Sequence, residues 1–317
     1  MEDIQKTPPP RIADAPFNDL GGDIILRSDG DNGVNFYTYK LFLIHASPIF
    51  KDMFALPQGD LQTQNPGPPV VTMQETAGEL RTLLLLCHPG IVPERPASME
   101  QLYQSYRIAD KYLLDMTWVK VCLPVFVDQA PVGVYLLARK HGWKEEARLA
   151  AERSLSRSLP QLVMERYDPL VPSITAQSLH DLLRYHQRCT DVLTQFFNPD
   201  GWVEDWCRGW YDPDSDMPTF LVSEEECCCS ENVRFDVPQW LHTRSWWNAF
   251  MLDYSNALAK VPAVDKVPLP DILSKVSATA SKCPRCGPVA LEELSSFVYW
   301  VKQRASTDLE HVPVPVG

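Results

Sequence analysis

Cys283 and Cys286, in the run Cys283-Pro-Arg-Cys286-Gly, are the residues of this chain best spaced for chemistry, because two thiolates at that separation can hold one Zn²⁺ ion within a tight turn. A closed site needs four ligands. Cys207, Cys227, Cys228, Cys229 and His242 are candidates to complete it, yet no second Cys-x-x-Cys and no His-x-x-x-His stands at a fixed offset. Glu224, Glu225 and Glu226 adjoin the cysteine run and disfavour its thiolates by like-charge repulsion, which a bound zinc would offset. Thiol–disulfide chemistry expects the pair at the start of a helix that follows a strand, whereas Cys283 follows the end of a helix expected over Asp271 to Ala280. The expectation is a chain without metal or cofactor, with zinc binding or redox use of this pair as the alternative.

Other reactive constellations are missing. The sequence has no Gly-x-x-x-x-Gly-Lys-Ser/Thr loop, no dinucleotide-binding glycine pattern, no Gly-x-Ser-x-Gly and no His-Glu-x-x-His. His186 and Cys189 share a helix face at i and i+3, a spacing that suits two metal ligands and also arises freely by chance. His45, His88, His141 and His186 each fall on a predicted helix face or end, where a lone histidine packs or caps. Nothing here assembles an active site, so no catalytic residue is assigned and the chain reads as a non-enzyme.

The elements around these residues are clearest near the start of the chain. Asp23 to Arg27 and Val34 to Tyr39 are β-prone runs separated by Asp29-Gly30 and Asn32-Gly33, dipeptides that accept the positive φ of a tight turn. From Lys40 the period becomes helical, and Ser47-Pro48 supplies an N-cap hydroxyl followed by proline at the first helical position. Ile49, Phe50, Met53 and Phe54 are expected on one apolar face. Val70 to Met73 is a short strand, and Thr76 to Glu79 a capping box ahead of the stripe Leu80, Leu83, Leu84 and Cys87. Ser98 to Gln101 opens a further helix with a stripe of Leu102, Tyr106, Ala109 and Leu113, ending in Ala109-Asp110-Lys111-Tyr112.

Lys40, Leu43, Ser47 and Phe50, placed after a strand that starts at Asp23, together with Ala109 to Tyr112, resemble the signature of the BTB/POZ domain, in particular the fungal group of BTB proteins. The likeness covers about the first third of the chain. One departure is Tyr39-Lys40, where the family usually has His-Lys. The resemblance implies an α+β fold, a small sheet flanked by helices, followed by a mostly helical C-terminal region. It also implies protein–protein interaction: a homodimer or hetero-oligomer formed through the first strand and first helix, with scaffold or adaptor work in ubiquitin ligation or transcriptional regulation. Asp23 and Lys40 would then lie in a charged pocket near the interface, with Ile24 and Leu41 among its apolar members. Read from the residues alone, Asp23 equally caps the strand entry, the Lys40 stem covers apolar surface, and Ile24 and Leu41 belong to the monomer core. Family members that act as substrate adaptors for a cullin scaffold carry a hydrophobic-x-Glu motif after the helix of Phe50; Ala55 to Asp60 contains no glutamate there.

Four sections are expected: a mobile leader at 1–16, the BTB/POZ unit at 17–115, a helical extension of the kind that follows many BTB domains at 116–197, and a Trp- and Cys-containing region of helices and loops at 198–317. In the third, Pro131 opens a helix carrying Val134, Tyr135, Ala138 and His141 with Gly142 as its cap, and Lys144 to Leu159 continues as an amphipathic segment. Leu179, Leu182, Leu183, His186 and Leu193 are available for one face of the next helix. In the fourth, Trp202, Trp206, Trp210, Trp240, Trp246 and Trp247 demand burial in a satellite core or a partner. Leu291 to Val301 is a last amphipathic helix before a Pro-Val tail.

The formal charge of -12 argues against nucleic-acid or anionic-membrane partners, which require clustered Lys and Arg. No apolar run reaches the roughly 20 residues of a membrane span, and the first residues lack the pattern of a signal peptide. Cytoplasm or nucleus is the expected compartment, with the nine cysteines reduced.

Overall fold

The computed structural model describes residues 11–30, 33–56, 67–165, 176–195, 197, 221–222, 230–231 and 242–317. It mixes helices with small sheets, an α+β arrangement, and divides into two units: Met1–Phe126 with Asp168–Val171, and Val127–Tyr167 with Pro172–Gly317.

In the first unit, β1 (Arg11–Ile12), β2 (Ile24–Arg27), β3 (Val34–Thr38) and β4 (Val70–Thr72) form one sheet in the order β1-β3-β2-β4. Strands β2 and β3 are antiparallel, with Ile24 opposite Thr38 and Arg27 opposite Asn35, while β1 runs parallel to β3 and β4 parallel to β2. Their connection needs its glycines: Gly30 has φ +103°, and a Cβ on Gly33 would fall 2.8 Å from the Ser28 carbonyl oxygen. The Ser28 hydroxyl accepts from Val34 N–H at 2.9 Å and closes the turn.

Residues 11–16 of the expected leader are ordered against the sheet. The Ala13 N–H extends the β1 pairing to the Asn35 carbonyl at 2.9 Å, and Phe17, 1% exposed, packs on Phe36 with ring centroids 6.0 Å apart. A two-residue strand is too short to show a period, so only its partners define it.

Helices α1 (Lys40–Ala46), α2 (Pro48–Ala55), α3 (Ala77–Cys87), α4 (Met99–Lys111) and α5 (Thr117–Cys122) complete this unit, with a 3₁₀ turn at Leu123–Phe126. Ser47 caps α2, and the Thr76–Glu79 capping box opens α3, which buries Leu80, Leu83, Leu84 and Cys87 as expected. The second box is only half formed. Ser98 Oγ accepts from Gln101 N–H at 3.3 Å, but the Gln101 side chain reaches one residue further back, to Ala97 N–H at 2.8 Å. Two apolar assignments differ from the periodicity. Ile49 is exposed, and Leu113 leaves its stripe because the chain turns left-handed there, at φ 52°. Leu114, 7% exposed, takes the core position, its N–H reaching back to the Ala109 carbonyl at 2.8 Å. The core joins Ile24, Leu26 and Phe36 of the sheet to Leu43, Phe50, Leu80, Leu84 and Tyr112 of the helical layer.

The second unit begins with α6 (Pro131–Lys140), buried from Pro131 through Ala138, and capped at Gly142 with φ +68°. The amphipathic segment after it is broken: α7 (Lys144–Ser154) ends, and α8 (Leu159–Val163) restarts where the Gln161 side chain accepts from Ser158 N–H at 2.9 Å. Helix α9 (Ala176–Gln195) buries Leu182, Tyr185, His186, Cys189 and Leu193. A small antiparallel sheet, β5 (Leu221–Val222), β7 (His242–Arg244) and β6 (Ser230–Glu231) in that spatial order, precedes α10 (Ser245–Lys260), α11 (Leu269–Ala280) and α12 (Ala290–Glu310). Trp246 and Trp247 are fully buried among Phe250, Tyr254 and Phe297, with the Trp247 and Phe297 rings edge to face at 4.7 Å. These two tryptophans are core. Trp202, Trp206, Trp210 and Trp240 lie outside the described residues.

Candidate protein-interaction surface

Helix α1 carries the sequence Lys-Leu-Phe-Leu-Ile-His-Ala, with four apolar residues in succession, yet only Leu43 is fully buried. Leu41 is 71% exposed, Phe42 and Ile44 are half-buried, and His45 is exposed. A seven-residue helix against a core can turn only one stripe inward. Four consecutive apolar residues therefore leave apolar surface outside, and that run was the available sequence signal for this face.

Asp23 fixes the start of α1. The N-cap residue, Tyr39, makes no side-chain cap, and the Asp23 carboxylate, from the entry to β2, instead accepts Lys40 N–H at 2.7 Å. A carboxylate there satisfies one orphan donor and faces the positive end of the helix. Lys40 is held separately, its ammonium 5.8 Å from the Phe54 ring centroid. The structure thus brings Asp23 and Lys40 together through the Lys40 backbone. Ile24 differs from its expected place at the interface: with no exposed surface, it belongs to the sheet core of its own chain, its β2 position turning it inward. Leu41 is on the outside.

Neighbours extend the patch. The Tyr39 ring meets Phe42 at 5.3 Å, and Phe42 meets the His88 edge at 5.2 Å. The Tyr39 hydroxyl donates to Asp19 Oδ2 at 2.9 Å, and Asp19 Oδ1 accepts from Gly21 N–H at 2.9 Å. The Gly21 N–H, then the Tyr39 hydroxyl, hold the Asp19 carboxyl below its usual range, while Asp19 raises the Tyr39 phenol. Leu20, beside Asp19, is 65% exposed. Sequence reading marks Tyr39 only as the departure from the family's His-Lys pair and gives no signal for Leu20 or Phe42.

A second concavity, of about 830 Å³, lies where α3 and α4 meet the loop of Ile91 to Pro96. Arg81, Arg95 and Arg107 line it beside Glu79, Glu94 and Trp118, three cations against two carboxylates.

Cys283, Cys286, His186 and Cys189 belong to the second unit. Cys283 and Cys286 are buried, 3% and 1% exposed, in the turn between α11 and α12. Among the described residues no three His, Cys, Asp or Glu side chains converge as metal ligands. Cys207 and Cys227 to Cys229, with the run Glu224 to Glu226, lie outside those residues, as does the side chain of His242. His186 and Cys189 do share the buried face of α9, but they are bonded separately: His186 Nε2 meets the Arg157 carbonyl at 2.8 Å, and Cys189 pairs with the Tyr185 hydroxyl. Burial pushes the Cys189 thiol up to about 11 and the Cys87 thiol up to about 12. His88 caps locally, its Nδ1 accepting from Gly90 N–H at 3.1 Å, and His141 stacks on Trp143 at 4.7 Å. Among the described residues no helix is long and apolar enough to cross a membrane.

No protein-family model matches the sequence, and no curated protein matches it at a significant level.

Proposed function

We propose that this chain is a non-catalytic protein-interaction module of BTB/POZ type, which associates with a second copy of itself, or with a related chain, through the outer face of α1. The observation that carries this reading is the 71% exposure of Leu41 on a helix that buries only Leu43, with the Tyr39 and Phe42 rings in contact at the same end of the helix. Contiguous apolar surface of this kind is a docking feature. The resemblance of Lys40, Leu43, Ser47, Phe50 and Ala109 to Tyr112 to that family supports the same reading. A stable interface takes roughly 800 Å² from each partner, so α1 acts with its neighbours. Scaffold or adaptor work, in ubiquitin ligation or in transcriptional regulation, is the corresponding role in the cytoplasm or nucleus. The missing glutamate after α2 weighs against docking to a cullin.

Sedimentation equilibrium of the full chain and of Leu41→Asp tests the proposal. The expected result is an oligomer that Leu41→Asp converts to monomer with its circular dichroism at 25 °C unchanged. A monomeric wild-type chain that also captures no related chain through α1, or an oligomer that Leu41→Asp leaves intact, overturns it.

A further inference from the structure

The segment after α12 does not hang free. Val312 is 7% exposed, and the Pro315 carbonyl accepts two donors from α6, the Tyr135 hydroxyl at 2.7 Å and Arg139 Nη1 at 2.6 Å. These donors are prepared for that role. Tyr135 has no exposed surface, and its hydroxyl accepts from Arg139 at 3.3 Å while donating to Pro315. The guanidinium lies 5.8 Å from the Tyr135 ring centroid, and Asp181 of α9 pairs with it from another side at 3.7 Å.

We propose that Tyr135, Arg139 and Asp181 form a receptor site on α6 for an extended, proline-containing peptide, occupied in cis by residues 312–317 as a detachable strap. A backbone carbonyl is a handle that any extended peptide offers, so recognition at this point does not depend on the side chain that bears it. A charge-assisted bond from arginine is among the stronger contacts a neutral carbonyl makes. Pro313 and Pro315 have no N–H to satisfy, and their fixed φ lowers the entropy lost on docking. The ligand side is lightly held: beyond Val312, residues 313–317 are half-buried or exposed. Release of the strap would free two preset donors, the Tyr135 hydroxyl and the Arg139 guanidinium still held by Asp181, for another backbone carbonyl. The ligand in trans is therefore the same extended Val-Pro-Val-Pro segment, residues 312–317, of a second copy of this chain.

The test uses the chain shortened by residues 312–317 and a fluorescent synthetic peptide of residues 311–317. The shortened chain is expected to bind the peptide at least tenfold more tightly than the full chain does, and Tyr135→Phe with Arg139→Gln to abolish that binding. A folded shortened chain that ignores the peptide, or equal binding by both chains, overturns the proposal. Cleavage of the full chain after Pro313 and Pro315 by a proline-specific endoprotease serves if the shortened one does not fold. Residues 312–317 should then be cut at least tenfold faster in the Tyr135→Phe, Arg139→Gln chain at unchanged circular dichroism, and equal rates would refute the strap.

Discussion

The Ser47 hydroxyl donates to the Tyr112 carbonyl at 2.6 Å, across 65 positions of sequence, while accepting from Phe50 N–H at 3.3 Å. The Phe50 and Tyr112 rings stack 5.2 Å apart beside this bond. The Ser-Pro-x-Phe start of α2 and the Ala-Asp-Lys-Tyr end of α4 are therefore two halves of one latch: one residue caps a helix and ties down the chain leaving another.

Ser47→Ala removes both roles. Loss of an N-cap costs about 1 kcal/mol, and a buried carbonyl left without this donor costs about 1–3 kcal/mol more. The first unit should lose about 2–4 kcal/mol in urea denaturation, with an unchanged slope. A loss below about 0.5 kcal/mol would mean that water replaces the serine at no cost.

Leu113 sits at φ 52° and is 58% exposed, so its side chain gains little from packing while its backbone occupies the left-handed region. That conformation costs a non-glycine residue roughly 1–2 kcal/mol, partly offset in Leu113→Gly by the greater freedom glycine gives the unfolded chain. Leu113→Gly should raise stability by about 0.5–1 kcal/mol. Leu113→Val, stiffer at Cβ, should lower it. Thermal melts of the two variants must move in opposite directions for this account to stand.

The same position shows where sequence reading stops. Thr76, Glu79 and the stripe of Leu80, Leu83, Leu84 and Cys87 were legible because caps and periods are set by residues within one or two turns. The stripe of α4 extrapolated to Leu113 on period alone, but the helix ends at Lys111 and the left-handed step passes the core position to Leu114. Ile24 and Leu41 looked alike as apolar neighbours of Asp23 and Lys40. The pairing of β2 in the middle of the sheet buries the first, and the single inward stripe of α1 exposes the second. Strand β1 and the docking of Pro315 on α6 depend on partners distant in the chain, for which local pattern holds no signal.

Thiol accessibility follows from burial. Cys87, Cys122, Cys189, Cys283 and Cys286 are all buried, so an aromatic disulfide reagent should leave them unmodified in the native chain and label them only on unfolding. Mass-spectrometric mapping locates the modified positions. Rapid native labelling of Cys283 or Cys286 would require an opening of the turn between α11 and α12, and would restore the redox reading of that pair.

The pH response should centre on two buried groups joined by Arg157. Its carbonyl meets His186 Nε2 at 2.8 Å, and its guanidinium lies 3.6 Å from the Glu165 carboxylate, which also accepts from Gly133 N–H at 3.0 Å. Burial lowers the His186 pKa from its ordinary 6.5, so below that value the unfolded chain binds a proton that the native chain does not, and stability falls as pH falls. The loss begins near 6.5 and continues down to the lowered native value. Burial raises the Glu165 carboxyl above its ordinary 4.5, so on acidification the native chain takes up this proton first, and stability gains between the raised value and 4.5. The two slopes oppose each other. In denaturation series from neutral to acid pH, His186→Gln should flatten the loss below 6.5, and Glu165→Gln should remove the opposing gain and steepen the net fall toward 4.5. Unchanged slopes in both variants would show that neither burial survives in solution.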